Sequence, residues 1–160
     1  MPGTPQPDHT PWSTVSIDAL LARSRAGLHR LPPAEAWSAA SRTDTFIVDT
    51  RPEFQRRRDG EVPGAIVIER NQLEWRLDPL CDARIPEATS ADIQWIILCD
   101  EGYSSSLAAS SLRQIGLANA TDVIGGFQAW ITAGLQVIRQ ATPTRPRGPG
   151  EPARGELTYG

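Results

Sequence analysis

The chain is poor in the residues on which several common functions depend. Its 160 residues include no lysine, two cysteines and two histidines. Two cysteines are too few for a disulfide framework or a cysteine-rich zinc site. No Cys-x-x-Cys, His-Glu-x-x-His or clustered histidine motif occurs either. We therefore expect no metal site.

The sequence also lacks long apolar runs. None approaches the roughly 20 residues that cross a bilayer, and the proline-rich start lacks the basic-then-apolar pattern of a signal peptide. We expect no membrane contact and a reducing, cytoplasmic setting, which suits a free thiol.

The chain also has no large excess of positive or negative charge. The chain has 16 basic and 19 acidic residues, a net charge of −3, so we expect no nucleic acid partner. All the basic residues are arginine, which we interpret as the codon usage of a GC-rich bacterial genome.

Proline and polar residues are concentrated at both ends of the chain. Residues 1–12 are predicted to be a flexible lead, and residues 140–160 a disordered tail, because neither stretch favours a packed element. The single domain then covers residues 13–139, a length that suffices to bury a core.

Within this domain, short apolar strand patterns alternate with helical ones. Strands are predicted at residues 46–48, 65–68, 93–98 and 122–124, with helical stretches before and between them. One helix should present Leu107, Ala108, Leu112 and Ile115 on a single face. This alternation predicts an α/β fold with a mainly parallel central sheet and helices on both of its faces.

Cys99 is the most informative single residue. It ends the third predicted strand and is followed by a glycine-containing loop and a serine-rich helix start. A lone cysteine there is usually a small apolar core residue. However, a strand–loop–helix order aims backbone N–H groups and a helix N-terminus at the sulfur, which favours the thiolate.

Four motifs in the correct order resemble those of the single-domain rhodanese-like sulfurtransferases. Residues 47–51 resemble the strand that ends in Asp-x-Arg, and residues 60–65 are similar to the family's Gly-His-Ile-Pro-Gly-Ala signature. Residues 99–102 look like its Cys-x-x-Gly active loop, and residues 125–130 like its Gly-Gly-x-x-x-Trp hallmark. The resemblance covers about residues 30–139.

The resemblance implies a sulfurtransferase of the thiosulfate:thiophilic acceptor class that needs no cofactor. Its cysteine, here Cys99, would take sulfane sulfur from a small-molecule or protein donor and hold it as a persulfide. It would then pass the sulfur to cyanide or a thiol. Asp49 and Arg51 are expected to support the structure, and the loop residues to bind substrate: Asp100, Glu101, Gly102, Tyr103, Ser104 and Ser105.

The loop departs from the family pattern in its charge. Ser104 stands where the family often has arginine, Glu61 replaces the signature histidine, and Asp100 and Glu101 oppose an anionic donor. We therefore consider Arg70, with Arg76 as a helper, as a substitute source of positive potential. The alternative is that Arg70 pairs with a nearby glutamate.

Two other functions remain open from the sequence. A cysteine phosphatase shares the expected fold but needs an arginine at the end of its loop. A non-enzymatic rhodanese-like module that binds a partner or carries sulfur is the second alternative. Cys81 is expected to be a bystander thiol, with resolution of the persulfide as the other possibility.

Overall fold

Four parallel strands form the centre of the molecule, a computed structural model that describes residues 14–139. The predicted lead (residues 1–12) and tail (residues 140–160) lie outside the described residues. The sheet order is β2-β1-β3-β4. The strands span β1 Thr45–Asp49, β2 Ile66–Val67, β3 Gln94–Leu98 and β4 Thr121–Asp122.

Six helices surround the sheet. The first begins after Ser16, whose hydroxyl accepts a hydrogen bond from the Ala19 N–H at 3.1 Å, and it ends before Gly27. A short 3-10 turn, Arg70–Gln72, leads into the fourth helix. The helices span α1 Ile17–Ala26, α2 Pro33–Ala39, α3 Glu53–Asp59, α4 Leu73–Leu77, α5 Ser104–Gln114 and α6 Gly126–Thr132.

The two central strands send alternate side chains into two separate cores. Val48 and Ile97 pack on one face with buried residues of α4 and α5. Ile47 and Ile96 pack on the other face with buried residues of α2 and α6. Since both faces are covered, the central residues of β1 and β3 are continuously apolar, as is typical of buried parallel strands. The predicted α/β fold is confirmed.

Three details of the prediction are wrong. The second strand is Ile66–Val67 and not residues 65–68. The last strand is β4 Thr121–Asp122 and not residues 122–124, because the chain beyond it turns through Gly125 at φ +72°. Ile115 is 48% exposed, because it follows the end of α5 and the buried face of that helix centres on Ala108, Ala109 and Leu112.

Three of the parallel strands end at one edge of the sheet. Asp49 lies opposite Leu98, the residue before Cys99, and Asp122 lies opposite Ile97. The carboxyl ends of β1, β3 and β4 therefore bring Asp49, Cys99 and Asp122 together. Ligands of α/β proteins bind at this edge.

Candidate active site

Cys99 lies between the end of β3 and the start of α5, at the wall of a cavity. Its side chain is largely covered, with 6% of the residue exposed. The backbone N–H of Gly102 points at Sγ with N···S 3.1 Å, and that of Ser105 does so at 3.4 Å. Two peptide dipoles and the start of α5 thus face one sulfur, an arrangement that stabilises negative charge there.

The loop takes this shape because glycines allow close backbone contact. Gly102 has φ +84°, and a Cβ on it would lie 2.6 Å from the Gly125 nitrogen. A Cβ on Gly126 would lie 2.5 Å from the Cys99 carbonyl oxygen. No side chain fits at either position, so the start of α6 packs directly on the loop.

The first turn of α6 also fixes the loop by hydrogen bonds. The Phe127 N–H donates to the Cys99 carbonyl at 2.8 Å, and the Gln128 N–H donates to the Asp100 carbonyl at 3.0 Å. The carbonyls consequently turn toward α6, while the N–H groups of Gly102 and Ser105 turn toward the thiol.

Asp49 and Arg51 form a fully buried ion pair beside the loop. Arg51 Nη2 lies 2.7 Å from Asp49 Oδ2 and donates to the Gly60 carbonyl at 2.8 Å. The guanidinium carbon also lies 3.6 Å from the centre of the Phe127 ring. These contacts tie β1 to the segment after α3 and to α6.

Asp122 is a site residue that the sequence analysis missed. Its carboxylate is buried and accepts two hydrogen bonds from Arg30, at 2.8 and 3.1 Å. The same carboxylate accepts from the hydroxyls of Ser105 at 2.8 Å and Ser106 at 2.7 Å. Ser105 Oγ lies 3.2 Å from Cys99 Sγ. Asp122 therefore reaches the sulfur through one hydroxyl.

Two arginines bind the carbonyl of Gly102 in the loop. Arg25 Nη2 donates to the Gly102 carbonyl at 2.7 Å, and Arg30 Nη2 donates to the same oxygen at 3.1 Å. The Arg25 guanidinium carbon also lies 5.7 Å from the centre of the Tyr103 ring. Because the Gly102 carbonyl accepts two hydrogen bonds, the peptide between Gly102 and Tyr103 is held in a fixed orientation.

The cavity next to Cys99 has a volume of about 340 Å³. Glu101, Tyr103 and Ser104 lie on its rim, and their backbone N–H groups have no acceptor within residues 14–139. Backbone N–H groups without an acceptor, on residues that line a cavity, can bind an anion there. The lining is Thr50, Arg51, Pro52, Gln55, Cys99, Asp100, Glu101, Tyr103 and Ser104.

Neighbouring side chains offset part of the negative charge of the loop. The Asp100 carboxylate accepts from Gln128 Nε2 at 2.9 Å and has Arg58 Nη2 at 3.8 Å. Arg58 is held chiefly by Asp59: its hydrogen bond keeps the pKa of the Asp59 carboxyl below its usual value, and the same bond raises the pKa of Arg58. Glu101 is exposed on the rim.

Arg70 is not among the residues that line this cavity. Its Nη1 lies 2.7 Å from Glu74 Oε1, so the ion-paired alternative is the one that the structure contains. Ser111 donates to the same glutamate oxygen at 2.8 Å. Arg76, its suggested helper, donates to the Ala83 carbonyl at 2.6 Å, and Cys81 is half-buried and outside the cavity lining.

Residues 14–139 contain neither a metal-binding cluster nor a membrane-spanning helix. No group of three or more histidine, cysteine or acidic side chains is placed to hold a metal ion in that part of the chain. None of the helices found there has the length and apolar character needed to cross a membrane.

Residues 32–133 match the family model of the rhodanese-like domain. Among curated proteins, the adenylyltransferase and sulfurtransferase MOCS3-2 of Zea mays is 42% identical over 60 residues, which are 38% of this chain and 12% of that protein. The chain thus spans only a small part of this relative.

Solved structures show the same fold. A protein of unknown function from Rhodopseudomonas palustris CGA009, described as a possible tyrosine phosphatase, is 31% identical with a TM-score of 0.71 and covers 84% of this chain and 99% of its own. The polysulfide-sulfur transferase of Wolinella succinogenes is 19% identical with a TM-score of 0.61, over 81% of this chain and 92% of its own. The second likeness concerns the fold alone.

Proposed function

The chain belongs to the rhodanese-like domain family, and from this membership and the geometry of the loop we propose that it is a sulfurtransferase that carries sulfur on Cys99. Sulfur transfer is the general chemistry that the relatives support. The finer proposal is a thiosulfate-class reaction through a Cys99 persulfide. The observation that carries it is the pair of backbone N–H groups 3.1 and 3.4 Å from Sγ.

In the loading step, the Cys99 thiolate attacks the sulfane sulfur of the donor. A bond forms between Sγ and that sulfur, and the donor's own bond to it breaks. The remainder of the donor molecule leaves with the electron pair of the broken bond, and it is sulfite when the donor is thiosulfate. The N–H groups of Gly102 and Ser105 contact Sγ directly and stabilise the attacking thiolate, while Arg51 supplies positive charge from the lining of the cavity.

In the transfer step, an acceptor such as cyanide or a thiolate attacks the outer sulfur of the persulfide. The bond between the two sulfurs breaks, and its electron pair returns to Sγ, which regenerates the thiolate. While loaded, the outer sulfur occupies the cavity, where the free N–H groups of Glu101, Tyr103 and Ser104 are available to its negative charge.

The charge on the rim sets the preferred donor. Asp100 and Glu101 repel a dianion more than a donor with no net charge, and Arg58 offsets only part of this because Asp59 holds it. We propose that donors of low net negative charge, small or protein-borne, load Cys99 better than thiosulfate. The chemistry needs a free thiol, so the proposal includes a reducing compartment such as the cytoplasm.

Intact mass tests the persulfide directly. Wild-type protein treated with thiosulfate, or with cysteamine persulfide as a donor with no net charge, should gain the mass of one sulfur atom. Cys99→Ser should gain none, while Cys81→Ser, the matched control, should load like wild type. Cyanide should then release thiocyanate from every loaded protein. Loading that survives Cys99→Ser would contradict the proposal.

Two other functions would give results of their own, one in this experiment and one in a separate phosphatase assay. A folded wild-type protein that neither loads nor releases thiocyanate with any donor would indicate a non-enzymatic partner-binding module. Turnover of an aryl phosphate would indicate a phosphatase, the activity suggested in the description of the Rhodopseudomonas protein. The loop argues against phosphate because no arginine occurs between Cys99 and Ser106.

A further inference from the structure

The Ser105 hydroxyl stands between the thiol of Cys99 and the carboxylate of Asp122. Its oxygen is 3.2 Å from Sγ and 2.8 Å from Asp122 Oδ2. A hydroxyl has one proton to donate and can accept on its remaining lone pairs. Ser105 can therefore donate to the carboxylate or to the sulfur, but not to both.

The surroundings of Asp122 decide between these two orientations. The carboxylate is fully buried, and two hydrogen bonds from Arg30 compensate its charge. A carboxylate so paired is only an acceptor, and Ser106 already donates to the same oxygen as Ser105 while it accepts from Arg25 Nε at 3.0 Å. The Ser105 proton consequently points to Asp122, and lone pairs of Oγ face the sulfur.

We propose that Asp122 is a positioning residue that holds the Ser105 hydroxyl as a hydrogen-bond acceptor toward Cys99. In this orientation Oγ accepts from the thiol S–H and opposes a thiolate, whereas the N–H groups of Gly102 and Ser105 favour the thiolate. The balance of these groups sets how much of Cys99 is reactive at a given pH.

This proposal deepens the proposed function, and its consequence for sulfur transfer rests on that function. Its consequence for the thiol does not, because alkylation of Cys99 requires no sulfur donor. Other charged or titratable groups face the loop from the elements packed around it, and they stay unchanged in every variant below: Arg25, Arg30, Asp49, Arg51, Arg58, Asp100, Glu101 and Tyr103.

The test measures the rate of alkylation by iodoacetamide against pH, in full-length protein with Cys81→Ser so that only Cys99 reacts. In Asp122→Asn, Arg30 should retain the amide oxygen, and the amide N–H should donate to Ser105. The Ser105 proton is then free for the sulfur. We expect the profile to move about one pH unit lower, which is about a tenfold faster reaction well below its midpoint.

Ser105→Ala gives a second, independent sign. It removes the acceptor and leaves both N–H donors, so its profile should also move to lower pH. The double variant Asp122→Asn/Ser105→Ala should match Ser105→Ala alone. Ser111→Ala is the matched control, since Ser111 lies on the same helix and donates to a different carboxylate, that of Glu74. Its profile should superimpose on that of the Cys81→Ser protein.

The outcomes separate cleanly. A shift of Ser105→Ala to higher pH would mean that the hydroxyl donates to the thiolate and would overturn the proposal. An unchanged profile in folded Asp122→Asn, checked by circular dichroism, would overturn it as well. If Asp122→Asn does not fold, the sign of the Ser105→Ala shift decides. Failure of sulfur loading with these shifts present would count against the proposed function alone.

Discussion

Two aspartate–arginine pairs occupy the same edge of the sheet and hold different parts of the molecule. Asp49–Arg51 is fully buried, and Arg51 bonds the Gly60 carbonyl and covers the Phe127 ring. Asp122–Arg30 is open to solvent at the arginine, whose side chain is 17% exposed. Only the second pair reaches the Cys99 sulfur, through the Ser105 hydroxyl.

The difference shows that chemical identity does not determine the role of a buried ion pair. Asp49 and Arg51 use their hydrogen bonds to join β1 to neighbouring segments, so these bonds contribute mainly to folding, although Arg51 also lines the cavity. Asp122 and Arg30 direct theirs at two serine hydroxyls and the Gly102 carbonyl, so their contribution is to the orientation of groups around the thiol. Variants of each pair should separate stability from reactivity.

The largest expected effect is that of Arg51→Gln on stability. The substitution leaves the Asp49 carboxylate buried with little compensation and removes the contact with the Phe127 ring. Breaking a buried pair in this way costs about 3–5 kcal/mol of the free energy of unfolding. Denaturant unfolding followed by tryptophan fluorescence measures it. A loss below about 1 kcal/mol would contradict the structural role.

Arg30→Gln should cost less stability and change the thiol more. Arg30 is partly exposed and Asp122 keeps its two serine donors, so we expect a loss of about 1–2 kcal/mol. The alkylation profile of Cys99 should move, because Asp122 and the Gly102 carbonyl both lose a donor. The comparison would fail if folded Arg51→Gln moved the profile as much as Arg30→Gln.

A third pair, Arg70–Glu74, extends the comparison to a site away from the thiol. Burial raises the pKa of the Glu74 carboxyl, but hydrogen bonds from Ser111 and its own backbone N–H, with the charge of Arg70, bring it below the usual 4.5. The carboxylate therefore stabilises the fold above that pH, and this contribution is lost as the pH falls through the lowered value.

Glu74→Gln should accordingly lower the free energy of unfolding at pH 7 by less than about 1 kcal/mol, since the pair is partly exposed and screened. The difference from wild type should shrink between pH 5 and pH 3 as the wild-type carboxylate takes up its proton. Unfolding curves at several pH values give this difference. A difference that grows on acidification would have the wrong sign.

The smallest expected effect is that of Arg70→Ala on sulfur transfer. Arg70 is paired with Glu74 and is absent from the cavity lining, so rates of thiocyanate formation should match those of wild type. Stability should change by no more than about 0.5 kcal/mol. A severalfold loss of rate would restore the positive-potential role considered from the sequence.

Local patterns made the fold predictable, and they drew attention to Asp49 and Arg51 as structural residues. Each signal that we used is contained in a few consecutive residues: the apolar strand patterns, the Asp-x-Arg at residues 49–51, and the glycines at 125 and 126. Arg30 and Asp122 are 92 residues apart, and their contact exists only after β4 has joined the sheet. No local pattern records such a contact.

One signal for Asp122 was present in the sequence. A charged residue in a short apolar strand needs a partner if it is buried, and the arginines were the available cations. For Arg70 the sequence left two alternatives open, and the structure contains the ion pair with Glu74. Its place after β2 suggested proximity to Cys99. However, Glu74 lies four residues further along and forms an ion pair with the Arg70 guanidinium.

The hydrogen bonds from the Phe127 and Gln128 amides to the Cys99 and Asp100 carbonyls make the first turn of α6 a latch on the loop. Opening of the loop must break both bonds and release both amide protons to solvent. The exchange of these two protons with deuterium therefore records how often the latch opens. A loaded sulfur that tightens the loop would slow both of them together.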